Sequence, residues 1–361
     1  MKTVKFYSIH KVKTSDAERK EIIERVFKIN TNKLNLVVDS EEPDYIITDT
    51  GIYRYERCWK EFRKYYSPKR IHILFVDEAT FPDMNLFDYA CVMNSHFSID
   101  DRVCKIPNDF FYSNKIMLTS DNSLYGAGKQ KCKEELEKKT GFCNFLYSNP
   151  NAHPNRDALF YSLNCYKNVD AIGSHLRNVG GENGDRAQQN WMESSVEQKS
   201  YYKFTIAAEN AAFPGYTSEK LMTSFQAHSI PIYWGNRDVV DEFNPRAFIN
   251  ANQYASFDEV IDLVKKIDQD DDLWLEMIAQ PWQTAEQKKR ELDNIERYKL
   301  FTNFIFLQDF TDAFRAPRGT QVDAYVKHFF YEVEWVKPKL RQRLQKIIDR
   351  SYLTVKDVIK A

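Results

Sequence analysis

Polar residues gather where an apolar segment ends and a helix is predicted to begin. A short loop joins the two, and the polar residues around it are Glu209, Asn210, Tyr216, Thr217, Ser218, Glu219 and Lys220. A helix N-terminus offers backbone N–H groups and a partial positive charge, which suit a diphosphate. Lys220 adds a full positive charge, and Glu219 can accept hydrogen bonds from vicinal sugar hydroxyls. Asn210 and Tyr216 can donate to phosphate oxygens, so the set predicts a nucleotide-sugar site.

Taken singly, these residues have ordinary structural roles. Ser218 is a standard helix cap, Glu219 favours the helix dipole, and Lys220 at such a position is commonly solvated. Other chemistry is excluded by the sequence, because Gly126-Ala-Gly128-Lys129 is followed by Gln130 where a Walker-type phosphate loop needs Ser or Thr. The sequence has no GxGxxG, GxSxG or HExxH pattern, which argues against a dinucleotide oxidoreductase, an α/β-hydrolase and a zincin.

Charge and cysteine usage narrow the class of protein further. The formal net charge of −1 provides no global field for nucleic acid, so no nucleic-acid partner is expected. The six cysteines form no CxxC pair, which favours buried thiols in a reducing compartment over a set of disulfides. The acidic run 268–272 is interpreted as a solvated helix start rather than a metal site.

The elements that would position these residues alternate between apolar strands and amphipathic helices. Predicted strands of the first part are Val4–Ile9, Leu34–Val38, Tyr45–Thr48, Ile71–Val76 and Phe87–Met93. A second series includes Phe142–Tyr147, Phe204–Ala208 and Ile230–Tyr233. This alternation predicts two α/β units with mainly parallel sheets, joined near residues 150–170. Ligands of such sheets bind at the carboxyl ends of the strands, so we expect a cleft between the units.

The C-terminal segment 337–360 has a different composition. Leu340, Leu344, Ile347 and Ile348 recur at helical spacing among many lysines and arginines, which predicts a basic amphipathic helix. Such a helix can lie on an anionic membrane surface, but a helix packed on the protein body is the more common interpretation. The sequence has no apolar signal core and no run of about 20 apolar residues. A cytoplasmic protein, peripheral at most on the inner membrane, or a trimmed chain is expected.

The donor segment resembles the signature of the α1,3/α1,4-fucosyltransferases, including the bacterial Lewis-antigen enzymes of Helicobacter. The resemblance rests on Glu209-Asn210, on Tyr216-x-Ser218-Glu219-Lys220, and on Pro231 and Gly235. It extends to Asn85–Tyr89, Ser148–Asn151 with Arg156, Arg177-Asn178, and Asn244-Pro245 with Phe248. The family usually has Tyr-Val/Ile-Thr-Glu-Lys, and this chain has Thr217 and Ser218 at the two middle positions.

The resemblance implies a GT-B fold, in which two Rossmann-like domains face a cleft. We expect an acceptor-binding domain over residues 1–160, a GDP-fucose-binding domain over 161–335, and the tail helix over 336–361. The implied activity is inverting transfer from GDP-fucose, without an obligatory metal or another cofactor. The implied acceptor is a GlcNAc or Glc unit of an oligosaccharide or glycolipid of the lactosamine or lactose type, such as a lipopolysaccharide or a glycosylated protein.

The resemblance also assigns roles to individual residues. Glu78 follows a predicted buried strand at the position of the family's catalytic glutamate and is predicted to be the general base, with Asp77 as a rival. Arg177 and Lys220 resemble the diphosphate-binding pair, and Glu219 is expected to hold donor hydroxyls and steady the sugar cation. The alternatives are a GT-B transferase for another GDP-sugar or acceptor, and a non-catalytic nucleotide-sugar-binding protein. A base, a cation pair and Glu219 together argue against the second.

Overall fold

The chain forms two parallel β-sheets, which a computed structural model describes over residues 1–108, 123–180 and 191–332. The first sheet has the order β2-β1-β3-β4-β5-β6 and the second the order β11-β10-β9-β7-β8. The strands of the first are β1 (Lys2–Ile9), β2 (Leu34–Val38), β3 (Tyr45–Asp49), β4 (Ile71–Val76), β5 (Tyr89–Val92) and β6 (Val103–Lys105). Those of the second are β7 (Gly141–Phe145), β8 (Val169–Ala171), β9 (Tyr202–Ala208), β10 (Ile230–Trp234) and β11 (Ile249–Asn250).

The first eight described helices lie between successive strands, and the last four follow the final strand. Those before β9 are α1 (Asp16–Val26), α2 (Gly51–Arg54), α3 (Glu56–Tyr65), α4 (Lys129–Glu137), α5 (Pro154–Tyr166) and α6 (Trp191–Ser200). Those after it are α7 (Glu219–Gln226), α8 (Val239–Glu242), α9 (Phe257–Asp268), α10 (Asp271–Ile278), α11 (Ala285–Leu307) and α12 (Thr320–Glu332). This arrangement confirms the predicted α/β class with two units.

Local sequence explains why these elements form. Every residue of β4 is buried, because helices lie on both faces of a parallel sheet, and its sequence is accordingly apolar except for His72. The predicted cap Ser15 begins α1 with a complete capping box, since its side chain accepts from the Glu18 amide and Glu18 bonds back to the Ser15 amide. Asp270 caps α10 through the Asp272 and Leu273 amides, which confirms residues 270–272 as a helix start, whereas Asp268 ends α9 with a buried side chain.

The chain passes from one sheet to the other at positions that differ from the predicted boundary between residues 160 and 161. Strand β7 begins at Gly141 and pairs with β8 and β9, so it belongs to the second sheet. Helix α11 follows the second sheet but returns to the first, where Tyr298, Ile305 and Phe306 join the core under β1 and β4. In α12, Phe330 packs on Trp59 of α3 with ring centroids 5.2 Å apart. Sequence order alone gives no sign of this return, because any amphipathic helix fits either sheet.

Two further sequence expectations concern the cysteines and the membrane. All six cysteines are free thiols, five of them buried and Cys165 exposed, as the sequence favoured. Among the helices that the structure describes, none is long and apolar enough to cross a bilayer. The predicted basic amphipathic helix over 336–361 lies outside the described residues.

Candidate active site

The start of α7 is built around a buried glutamate at the end of β9. Glu209 is fully buried, and it accepts hydrogen bonds from the Ser218 amide at 2.8 Å and the Ser218 hydroxyl at 2.7 Å. Burial raises the pKa of the Glu209 carboxyl, opposed by the ammonium of Lys220 at 3.1 Å. Gly235 permits this packing, since a Cβ there would lie 2.6 Å from Glu209 Cγ. Glu209 therefore fixes both the helix start and the lysine.

Ser218 stands at the N-cap position, as predicted, but its side chain has another partner. Its hydroxyl donates to Glu209 and accepts from Lys220 Nζ at 2.9 Å, and it makes no capping hydrogen bond to the helix. The predicted capping hydrogen bond is wrong. The Ser218 hydroxyl is oriented instead toward the buried carboxylate of Glu209, which is a strong, charged acceptor. The serine thus orients the lysine instead of closing the first turn of α7.

Three of the predicted donor residues line one cleft at the carboxyl ends of β7 and β9. These are Asn210, Glu219 and Lys220. Arg156 of α5 joins them, with 1% of its surface exposed and its guanidinium 4.5 Å above the Tyr147 ring. Arg156 also donates to Asn210 Oδ1 at 3.3 Å, and its Nε is buried with no hydrogen-bond partner. The cleft is therefore lined by three cations, which are Arg156, Lys220 and Lys199. Helix α6 supplies its opposite wall, which includes Trp191, Ser195, Gln198 and Lys199.

Arg177, the predicted partner of Lys220, contacts backbone carbonyl groups of its own loop, and its role at the diphosphate stays a prediction. Its guanidinium donates to the carbonyl oxygens of Ile172 at 2.7 Å and Gly180 at 3.2 Å. Arg177 is not among the described residues that line the cleft. Sequence reasoning gave Arg156 no donor role, because a buried arginine and a solvated one look alike in a sequence. Its position within the predicted first turn of α5, after a turn-rich segment, is the one local signal that could have suggested it.

Glu78 projects from the carboxyl end of β4 toward the second unit. The Tyr216 hydroxyl donates to Glu78 Oε2 at 3.0 Å, and Arg54 Nη1 donates to Oε1 at 2.6 Å. Burial raises the pKa of Tyr216 well above its usual range, so this phenol stays protonated and donates. The structure therefore joins Tyr216, predicted to contact the donor, to the predicted general base. Arg54 is a second contact that sequence reasoning missed, since a helix arginine 24 positions earlier carries no signal of it.

Asp77, the rival base, faces the first sheet. It accepts from Thr50 Oγ1 at 2.5 Å, and burial raises the pKa of its carboxyl. Burial, followed by the charge of Asp77, raises the pKa of the neighbouring Asp49 to about 6, although Asp49 also accepts from the Gly51 amide at 2.6 Å. Adjacent strands end side by side in a parallel sheet, so these two carboxyls are brought together by topology. Of the pair Asp77 and Glu78, it is Glu78 that reaches the second unit.

We predict that Asp49→Asn stabilises the protein at neutral pH but not in acid. The pKa of Asp49 is higher in the folded than in the unfolded chain, so the folded state holds an extra proton between about pH 4 and 6. Protonated Asp49 stabilises the folded state at low pH. This contribution to the free energy of unfolding is lost as the pH rises through that window. The variant should exceed wild type in free energy of unfolding by about 1–2 kcal/mol at pH 7.5 and match it near pH 4.

The measurement is urea unfolding at several pH values, with Asp293→Asn at an exposed position of α11 as the control. The amide oxygen of the substituted side chain can still accept from the Gly51 amide, so the hydrogen bond is kept. A stability difference that does not vary with pH would contradict the assignment.

A buried polar network holds the loop before α7 against the first unit. Thr217, which is 0% exposed, donates to Glu242 Oε2 at 2.8 Å and accepts from Asn236 Nδ2 at 3.0 Å. Lys105 of β6 pairs with Glu242, which raises the pKa of this ammonium although burial opposes it. Gly215 fits closely, because a Cβ there would lie 2.4 Å from the Met93 carbonyl oxygen. The network fixes Thr217 and thereby the adjacent Tyr216.

Thr217→Val keeps the shape of the side chain and removes its two hydrogen bonds. We expect the free energy of unfolding to fall by about 1–3 kcal/mol, because Glu242 and Asn236 lose a buried partner. Chemical denaturation measures this, with Thr311→Val at an exposed position as the matched control. Equal stability of Thr217→Val and wild type would show that the network does not hold the loop.

Metal-ligating side chains are dispersed in the part of the chain that the structure describes. Within residues 1–108, 123–180 and 191–332, no three His, Cys, Asp or Glu side chains gather as a metal site would require. The expectation of a reaction without an obligatory metal stays a prediction.

Comparisons with known proteins identify a family model and relatives that are similar to this chain. The model of glycosyltransferase family 10 (fucosyltransferase), C-terminal region, matches residues 136–307. An alpha-(1,3)-fucosyltransferase of Helicobacter pylori is 31% identical over 273 residues, which are 68% of this chain and 54% of that protein. An alpha-(1,4)-fucosyltransferase of Arabidopsis thaliana is 30% identical over 34% of this chain and 34% of that protein. The chain thus spans about half or less of these curated relatives.

A solved structure supports the fold. The crystal structure of an alpha1,3-fucosyltransferase with GDP-fucose superimposes with a TM-score of 0.59 at 25% identity, and it covers 82% of this chain and 90% of the solved one. The crystal structure of an alpha1,3-fucosyltransferase with GDP gives a TM-score of 0.58. These matches confirm the predicted GT-B fold and the resemblance that the donor segment indicated.

Proposed function

We propose that this chain, in which residues 136–307 match the C-terminal model of glycosyltransferase family 10, is an inverting fucosyltransferase that uses GDP-fucose. Its proposed acceptor is the 3-hydroxyl, or the 4-hydroxyl, of a GlcNAc or Glc unit in a lactosamine- or lactose-type glycan. The observation that carries the proposal is the 3.0 Å contact between Tyr216 and Glu78. It brings a carboxylate from the first unit beside the segment that opens the donor helix of the second.

The donor side of the proposed site is the cleft at the start of α7. Lys220 and Arg156 line it together with the buried Lys199, and fixed cations suit a diphosphate. Glu219 opens α7 in the same cleft and offers its carboxylate to sugar hydroxyls, and Asn210 lies between Arg156 and the end of β9. Arg177 stays a prediction for the same role, and the paired variants below compare it with Arg156.

The proposed reaction is a single displacement at C1 of fucose. Glu78 takes the proton of the acceptor hydroxyl while that oxygen forms the bond to C1. The bond from C1 to the β-phosphate oxygen breaks on the opposite face, and GDP leaves with the electron pair. Arg156 and Lys220 stabilise the charge that develops on this phosphate, and Glu219 steadies the cationic sugar. The proposed steps include no metal ion.

The cellular setting belongs to the proposal as well. An oligosaccharide or glycolipid acceptor, such as a lipopolysaccharide or a Lewis-type antigen, fits the enzymes that this chain resembles. A cytoplasmic location with peripheral membrane contact through residues 336–361 stays a prediction from composition. Liposome sedimentation of the full chain, compared with a chain that ends at Val336, tests that contact.

The direct test is incubation of the full chain with GDP-fucose and a panel of lactose, type 1 and type 2 acceptors, followed by linkage analysis. We expect a fucosylated product with a 3- or 4-linkage and release of GDP. Transfer from another GDP-sugar in preference to GDP-fucose would favour a related transferase. Binding of GDP-fucose without transfer to any acceptor would favour a nucleotide-sugar-binding protein.

A further inference from the structure

A second cavity lies beside the donor cleft, at the carboxyl ends of β10 and β11. Its volume is about 640 Å³, within the range of about 300–1,000 Å³ that is usual for ligand sites. Residues that line it and enter the argument are His153, Trp234, Arg237, Asn252, Gln253 and Tyr254. We refer to it as the β10–β11 cavity. None of its residues has a part in the donor site described above.

A thin wall separates the β10–β11 cavity from the donor cleft. The His153 amide donates to the Asn210 carbonyl oxygen at 2.8 Å, so the start of α5 and the end of β9 are fastened together. His153 faces the cavity, whereas Asn210 and Arg156, three residues further along the chain, face the donor cleft. The two spaces are therefore neighbours along one edge of the second sheet, where α/β proteins place their ligands.

Two residues that line the same cavity are followed directly in the chain by residues that contact the first unit. Ala212 lines it, and the next residue, Phe213, packs on Phe81 of the first unit with ring centroids 5.0 Å apart. Arg237 lines it too, and the next residue, Asp238, is 2.8 Å from His96 of the first unit. The loop that starts at Ala212 continues to Tyr216, which contacts Glu78. An acceptor held at Glu78 would thus have the cavity at the edge of its binding site.

The chemistry of the lining suits neutral sugar rings. Aromatic surface comes from His153, Trp234 and Tyr254, and amide groups come from Asn252 and Gln253, with no carboxylate among the lining residues. Aromatic rings pack on the apolar faces of sugars, and amides and arginine pair with hydroxyl groups. The combination is what an uncharged, hydroxyl-rich ligand requires.

The cavity wall is also held in place before any ligand binds. Asn252 Oδ1 accepts from the Gly235 amide at 3.2 Å, and Asn252 Nδ2 donates to Asn250 Oδ1 at 2.9 Å. The His153 and Trp234 rings lie 4.8 Å apart. A preformed wall loses little conformational entropy on binding, which favours affinity.

We propose that the β10–β11 cavity binds sugar residues of an oligosaccharide acceptor beyond the one that is fucosylated. The inference rests on the proposed function and extends it, because it gives the second unit a part in acceptor selection. It predicts a preference for long neutral glycans over the disaccharide, set by the second unit rather than by the residues around Glu78.

The test uses GDP-fucose with N-acetyllactosamine and with a hexasaccharide of three lactosamine repeats. Wild type should have the lower KM for the hexasaccharide. Arg237→Ala and Tyr254→Ala should each raise that KM about tenfold, with the KM values for the disaccharide and GDP-fucose unchanged. Tyr161→Ala, at a 55% exposed position of α5, is the matched control. Arg237 is exposed, so its variant decides the matter if Tyr254→Ala does not fold.

Two results would overturn the inference while leaving the proposed function intact. One is a wild-type enzyme with equal KM for both acceptor lengths, and the other is a variant that raises both KM values equally. Absence of transfer to any acceptor by wild type would instead remove the proposed function on which the inference depends.

Discussion

Glu78→Gln is expected to lower kcat for fucose transfer by about 10²–10⁴-fold, which is the usual contribution of a positioned general base. Glutamine keeps the shape of the side chain, and its single oxygen can still accept from either Tyr216 or Arg54 but not from both. It cannot take the acceptor proton. The affinity for GDP should be unchanged, because Glu78 lies in the first unit and the donor cleft in the second. Stability should change little, since the Arg54 side chain of the ion pair is 51% exposed.

The control for this variant is Asp77→Asn at the neighbouring position. Asp77 is turned toward Thr50 and Asp49, so we expect its replacement to leave most of the transfer rate intact. Initial rates with saturating GDP-fucose, together with calorimetric titration of GDP, measure both effects. Wild-type turnover by Glu78→Gln, or a larger loss in Asp77→Asn, would remove Glu78 from the role of base.

The second large effect is expected from Arg156→Gln. Arg156 is buried in the donor cleft, close to Asn210, and in the proposed mechanism its charge stabilises the phosphate that leaves. Loss of one preorganised group at such a position costs about 10²–10³-fold in kcat. The affinity for GDP should fall as well, because the diphosphate is charged before and after transfer.

Arg177→Gln is the matched comparison, with the same change of side chain at the position that the sequence favoured. Its guanidinium holds the carbonyl oxygens of Ile172 and Gly180, so we expect a loss of less than about fivefold in kcat. Thermal unfolding of both variants separates lost folding from lost catalysis. An equal or larger loss in Arg177→Gln would restore Arg177 as the diphosphate ligand.

The sequence predicted those parts of the fold that depend on local pattern. The all-buried strand β4 is apolar except for His72, and the unit from β9 through α7 to β10 was predicted from an apolar strand, a polar loop and an amphipathic helix. The short edge strand Val103–Lys105 was missed, since three residues with alternating burial carry little periodic signal. The return of α11 to the first sheet depends on tertiary packing, which a single sequence does not reveal.

Within the candidate site, the sequence indicated residue types better than contacts. Glu219, Lys220 and Asn210 do line one cleft, because helix start and strand end are fixed by local structure. The Ser218 hydroxyl bonds to Glu209, which lies 9 positions away in the sequence. The Tyr216 hydroxyl bonds to Glu78, which lies 138 positions away. The choice between Arg156 and Arg177 depends on which side chain is buried against the cleft, and both are single arginines near helix or loop boundaries.

The anomeric configuration of the product tests the central claim most directly. Wild-type protein is incubated with GDP-fucose and N-acetyllactosamine, and the linkage and configuration of the product are determined by NMR. The account predicts one fucose on the GlcNAc unit with the configuration at C1 opposite to that in the donor, formed about 10²–10⁴-fold more slowly by Glu78→Gln. A product that retains the donor configuration, or equal product from both proteins, would contradict it.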